Sequence, residues 1–127
     1  MARIMRLGEL IDTLERKLSR LTPDATIHFD FVNFFPLTRV HSYRGFYDHL
    51  ALSYSNEGKA PLARILLEEL KAADGKDFTG YKGGEYTMSR NTPIWIAMPS
   101  EVGSTGVIDV KEYGGDIILE TGHVDYA

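Results

Sequence analysis

Apolar residues first recur at helical spacing, at Leu7, Leu10, Ile11, Leu14, Leu18 and Leu21, through a segment otherwise rich in Glu, Arg and Lys. The spacing predicts an amphipathic helix over Met5 to Arg20. Leu21, Thr22 and Pro23 stop it, because proline and the residue before it resist helical continuation. The stripe reads as core-facing rather than as a membrane or partner surface. From Ala25 to Val32 the period drops to two: Ile27, Phe29 and Phe31 point one way, Thr26, His28 and Asp30 the other, as in a half-buried strand. His28 and Asp30 share a face, but two such residues do not make a metal site.

Asn33 to Arg39, NFFPLTR, breaks the alternation at Pro36 and reads as a connection. Its Phe34 and Phe35 either close the edge of the core or stay exposed to cover a homomeric interface. The stretch from Ser42 to Tyr54, SYRGFYDHLALSY, begins polar and aromatic and becomes an alternating strand at His49 to Tyr54, with Leu50, Leu52 and Tyr54 on one face and His49, Ala51 and Ser53 on the other. A turn at Asn56 to Lys59 leads to a second helix over Pro61 to Ala73, with Pro61 in its first turn, Leu62, Ile65, Leu66, Glu69 and Leu70 setting the spacing, and a left-handed glycine cap near Asp74 and Gly75.

Lys76 to Pro93, KDFTGYKGGEYTMSRNTP, is long for a connection, and its aromatic residues argue for an ordered flap. The last third alternates as strands at Ile94 to Met98, Gly106 to Tyr113 and Asp116 to Thr121, with a polar turn at Ser100 to Ser104. Tyr113-Gly114-Gly115-Asp116 is a hairpin signal, since adjacent glycines supply positive backbone angles. The C-terminal GHVDYA is polar enough to fray or to join an interface. No repeat or low-complexity block divides the chain. The expectation is a single α+β domain spanning residues 1–127, two amphipathic helices packed on a mainly antiparallel sheet.

Composition narrows the function classes. With 127 residues, 43% hydrophobic and 25% charged, the chain can build one core without staples. A formal charge of −4 argues against binding long nucleic acid, which demands many neutralised phosphates. The lack of cysteine excludes disulfides, thiolate catalysis and Cys-ligated zinc. No run approaches the roughly 20 apolar residues of a membrane span, and acidic residues interrupt the start where a secretory signal needs an apolar run, so an unexported protein is expected.

Candidate chemistry gathers in the two non-periodic segments. Ser42, Tyr43, Arg44 and Tyr47, with Tyr81, Lys82, Tyr86, Arg90 and Asn91, combine a forked cation, a mobile cation, stacking rings and an amide edge, the requirements of a nucleotide-sized anion. The bland alternative is that Arg44 and Arg90 make structural ion pairs and the tyrosines cover the core. Lys82-Gly83-Gly84 lacks the residues of a Walker loop, though a turn with exposed backbone donors can contact phosphate. Of the acid-base groups His41, Asp48, His49, Glu85, Asp109, Glu120 and His123, the adjacent Asp48 and His49 diverge on a strand, and no spacing assembles a catalytic or metal set. A non-enzyme without cofactor is expected.

The phrases LGELIDTLERKLSRLTPDATIHFDF, SYRGFYDHLAL and GKDFTGYKGGEYTMSRNTPIWIA resemble small accessory proteins of tailed bacteriophages and their prophages, most strongly at SYRG and GYKGGEYTM. The resemblance implies a non-virion protein of the host cytoplasm, in a class where anti-defence proteins that sequester cyclic nucleotide alarm signals are of similar size and often homo-oligomeric. It implies capture of such a signal between subunits; the alternative is a phage protein that binds and inhibits a host protein.

Overall fold

The computed structural model describes residues 3–31, 33–43, 46–79, 85–97 and 105–124, with the backbone alone at 42, 43 and 46–48. In chain order the elements are α1 (Leu7–Leu18), β1 (Ile27–Phe29), β2 (Phe35–Tyr43), β3 (Phe46–Ser55), α2 (Ala63–Ala73), β4 (Asp77–Thr79), β5 (Glu85–Thr87), β6 (Ile94–Ile96), β7 (Thr105–Tyr113) and β8 (Asp116–His123). Six strands form one sheet in the order β1-β8-β7-β6-β3-β2, and β4 and β5 form a separate two-stranded ribbon.

The class is α+β, and the sheet is mixed. The hairpins β2–β3 and β7–β8 and the pair β6–β7 are antiparallel, whereas β1 runs parallel to β8 and β3 parallel to β6. The parallel pairs join strands far apart in sequence, which local alternation does not reveal. The two ends of the sheet also approach one another: Phe29 N–H donates to the Phe34 carbonyl at 3.0 Å, between β1 and the residue before β2, so the sheet curls toward a barrel.

One hydrophobic cluster draws on both helices and the sheet. Leu7, Leu10 and Leu14 of α1 and Leu66 and Leu70 of α2 are buried with Leu50, Leu52, Ile94, Ile96, Ile27, Ile117 and Leu119 of the strands. Each such side chain contributes about 1.5–3 kcal/mol of transfer free energy. The helical period of the leucines and the two-residue period of the strands thus point at the same interior.

Several expectations about local structure are met. Gly75 has φ 82 after the Asp74 cap, and Gly114 and Gly115, at φ 60 and 86, close the turn between paired Tyr113 and Asp116. Pro61, by contrast, precedes the Leu62 N-cap rather than entering the first turn of α2, and its carbonyl accepts the Ile27 N–H.

The segment 33–39 is the main correction. It is a connection only at Asn33 and Phe34: β2 begins at Phe35 and continues to Tyr43, with Pro36 in register with Tyr54. Because β2 ends the sheet, a residue without an N–H is tolerated there, and the pairing register slips between Pro36 and Val40. The strand places Phe35 in the monomer interior, at 7% exposure. Phe34 sits half-buried in an aromatic group, its ring 5.3 Å from Phe31 and 5.4 Å from Tyr54. Within the monomer Phe35 thus closes the edge of the core, while Phe34 beside it keeps part of its surface exposed.

Candidate functional site

Two hairpins organise the site. Tyr43 pairs with Phe46 at the end of β2–β3, so Arg44 and Gly45 occupy the connection, and Thr79 pairs with Glu85 in the ribbon, with Tyr81 and Lys82 in the intervening segment. Arg44, Tyr81 and Lys82 lie outside the described residues, as do the side chains of Ser42, Tyr43 and Tyr47. Of the expected flap, Asp77–Thr79 and Glu85–Thr87 form this ribbon, and residues 80–84 lie outside the described residues. The ribbon's base continues the ladder, with Gly75 N–H donating to the Met88 carbonyl at 2.8 Å and Met88 N–H to the Lys76 carbonyl at 3.0 Å. Met88 is fully buried, and the half-buried Phe78 and Tyr86 rings stack 6.5 Å apart across the ribbon.

Tyr86 ties the ribbon to the sheet. Its hydroxyl donates to the His49 carbonyl of β3 at 3.2 Å. The β4–β5 ribbon is thus a neighbour of the β2–β3 hairpin.

Arg90 and Asn91 are placed differently. The carbonyls of Thr92 and Arg90 accept the N–H groups of Leu7 and Gly8, satisfying donors that the first turn of α1 leaves without intrahelical partners. The Arg90 guanidinium reaches back to the Gly8 carbonyl at 3.2 Å and to Asp12 at 2.5 Å, and Arg6 donates to the Asn91 carbonyl at 2.6 Å. This turn braces α1 against the strand that follows it.

Beside the ribbon a cleft of about 310 Å³ opens between β2, the C-terminal end of α2 and β4. Arg39, Val40 and His41 line it from β2, Glu69, Ala72 and Ala73 from α2, and Lys76 to Thr79 from the start of the ribbon. Lys76 holds its ammonium 5.3 Å from the centroid of the Phe78 ring, and Asp77 accepts from the Thr87 hydroxyl at 2.5 Å. His41 keeps an exposed edge, yet partial desolvation in the cleft wall, and secondarily the charge of Arg39, hold its imidazole below the usual range.

His41 stood among the acid-base candidates, but Arg39, Lys76 and Phe78 were not singled out. Reading 33–39 as a connection hid Arg39; as a strand, the alternation of exposed Leu37, Arg39 and His41 is visible in the sequence. Lys76 and Phe78 join it only through the tertiary docking of the ribbon.

Among the described residues no group of three or more His, Cys, Asp or Glu side chains is placed to hold a metal, and no helix is long and apolar enough to cross a membrane. No family model, curated protein or solved structure matches the chain.

Proposed function

We propose that the protein is a phage anti-defence protein that captures a nucleotide-derived immune signal, of cyclic nucleotide or cyclic ADP-ribose type, and sequesters it without turnover in the host cytoplasm, as a homo-oligomer. The observation that carries this reading is the Tyr86 to His49 contact, which sets the ribbon against β3. It makes neighbours of the two hairpins whose connecting segments supply Arg44 on one side and Tyr81 and Lys82 on the other. In this reading the cations meet the phosphate charge and a tyrosine stacks on the base. Arg90 is left out of the capture set, since Asp12 and the Gly8 carbonyl already engage its guanidinium.

Calorimetry with a panel of cyclic nucleotides and cyclic ADP-ribose isomers tests the proposal. The expected result is saturable binding of at least one member, followed by recovery of that compound at its original mass after heat release. Recovery of hydrolysed product would make the protein an enzyme. Absence of binding to every panel member and to any nucleotide of infected-cell extract would turn the reading toward inhibition of a host protein.

A further inference from the structure

We infer that the cleft between β2, the end of α2 and β4 is a subsite for a doubly charged phosphoryl group, a pyrophosphate bridge above all, and that His41 takes up a proton as this group is seated; the inference rests on the nucleotide reading above.

The charges of the cleft carry the argument. Arg39 and Lys76 line it, and neither forms an ion pair among the described residues; the Lys76 ammonium lies over the Phe78 ring. Glu69 of α2 and Asp77 of β4 face the same space, and Asp77 is already bonded to the Thr87 hydroxyl. In formal charge the two cations and two carboxylates cancel, so the free cleft is electrically balanced while His41 is neutral. The proton on His41 is what makes the cleft net positive.

In the free protein that proton is disfavoured by partial desolvation and by Arg39. A phosphoryl dianion beside Arg39 reverses the second cause and offers the imidazolium an acceptor, so ligand and proton bind cooperatively. Arg39 supplies a planar fork suited to phosphate oxygens, and Lys76, held over the Phe78 face, supplies a point charge. A volume of about 310 Å³ admits a phosphoryl group with part of its nucleoside. A singly charged diester gains less from the same three donors.

ADP-ribose is the probe, because its internal pyrophosphate carries two charges that do not titrate near neutrality; cyclic AMP is the singly charged comparator. Calorimetry at pH 6 and pH 8, in pairs of buffers with different ionisation enthalpies, reads affinity and proton uptake together. The expected result is tighter binding of ADP-ribose than of cyclic AMP, affinity rising several-fold from pH 8 to pH 6, and a net uptake approaching one proton. His41→Gln should flatten the pH dependence and abolish the uptake, while Arg39→Ala should weaken ADP-ribose about tenfold or more. Circular dichroism checks folding, and Lys76→Gln, at an exposed position, serves as the second charge-removing variant if Arg39→Ala unfolds. ADP-ribose binding with no proton uptake, or with the same pH profile in His41→Gln, overturns the inference and leaves the capture reading standing. Binding of a cyclic nucleotide but not of ADP-ribose does the same. Failure of every nucleotide to bind removes both.

Discussion

The indole N–H of Trp95 donates to Nδ1 of His49 at 2.7 Å, with the two ring planes 11° from parallel. The residues lie on β6 and β3, which run parallel with Ala51 opposite Trp95. An indole is a donor only, so His49 must offer a lone pair at Nδ1 and carries its ring proton on Nε2. The same residue accepts the Tyr86 hydroxyl through its backbone carbonyl, so one position on β3 receives both the central strand and the ribbon.

Trp95→Phe keeps most of the buried ring and deletes the donor. Since Trp95 is only 2% exposed, the partner nitrogen of His49 loses its bond in a half-buried setting, and the variant should be destabilised by about 1–3 kcal/mol in urea denaturation. Nitrogen-detected NMR of the imidazole in the parent should show an unprotonated Nδ1. A protonated Nδ1 there would refute the assigned bond.

Gly8 tests the brace between α1 and the turn at Arg90. In an ordinary helix interior, alanine is favoured over glycine by about 0.5–1 kcal/mol. Here a Cβ at Gly8 would stand 2.9 Å from Cβ of Arg90 and 2.8 Å from its guanidinium carbon, so Gly8→Ala must displace the side chain that bonds Asp12. The expected outcome is a net loss of about 1 kcal/mol or more, reduced when Arg90→Ala is also present but not removed, because alanine keeps the Cβ that stands 2.9 Å away, and a double-mutant cycle measures the coupling.

The helices, the first alternating strand and the glycine turn were legible because each is written in a local period or in adjacent residues. Leu7, Leu10 and Leu14 need no knowledge of their partners to mark a helix face, and Gly114-Gly115 closes β7–β8 by backbone angle alone. What escaped depends on position in the sheet. Pro36 argues against a strand only where its missing donor would be needed, and at the outer strand it is not. The parallel pairing of Leu50 with Ile94 and the meeting of Arg39 with Lys76 in one cleft join segments with no shared local signal.

His41 makes stability depend on pH in a defined direction. Its folded value lies below the ordinary 6.5, so on acidification the unfolded chain takes the proton first and the folded state resists it. Stability from this group is therefore intact above pH 6.5 and is lost as pH falls from there through the folded value. Thermal melts between pH 8 and pH 5.5 should show that slope in the parent, and His41→Gln should reduce it. An unchanged slope in the variant would assign the dependence to other groups.

Tyr86→Phe separates the ribbon's docking from the fold as a whole. The substitution leaves the stack with Phe78 in place and removes only the hydroxyl that reaches the His49 carbonyl. With one half-buried hydrogen bond lost, global stability should fall by about 1 kcal/mol, because the main core of leucines and isoleucines is untouched. The local effect should be larger than the global one: an isolated two-stranded ribbon is marginal in water, and Met88 at its base then carries more of the docking. Amide exchange in β4 and β5 should accelerate while β7 and β8 keep their protection. If the neighbouring hairpins form the capture surface, affinity for the nucleotide found in the calorimetric panel should fall several-fold in the same variant. Faster exchange with unchanged affinity would leave Tyr86 as a structural fastening and take the ribbon out of the ligand site.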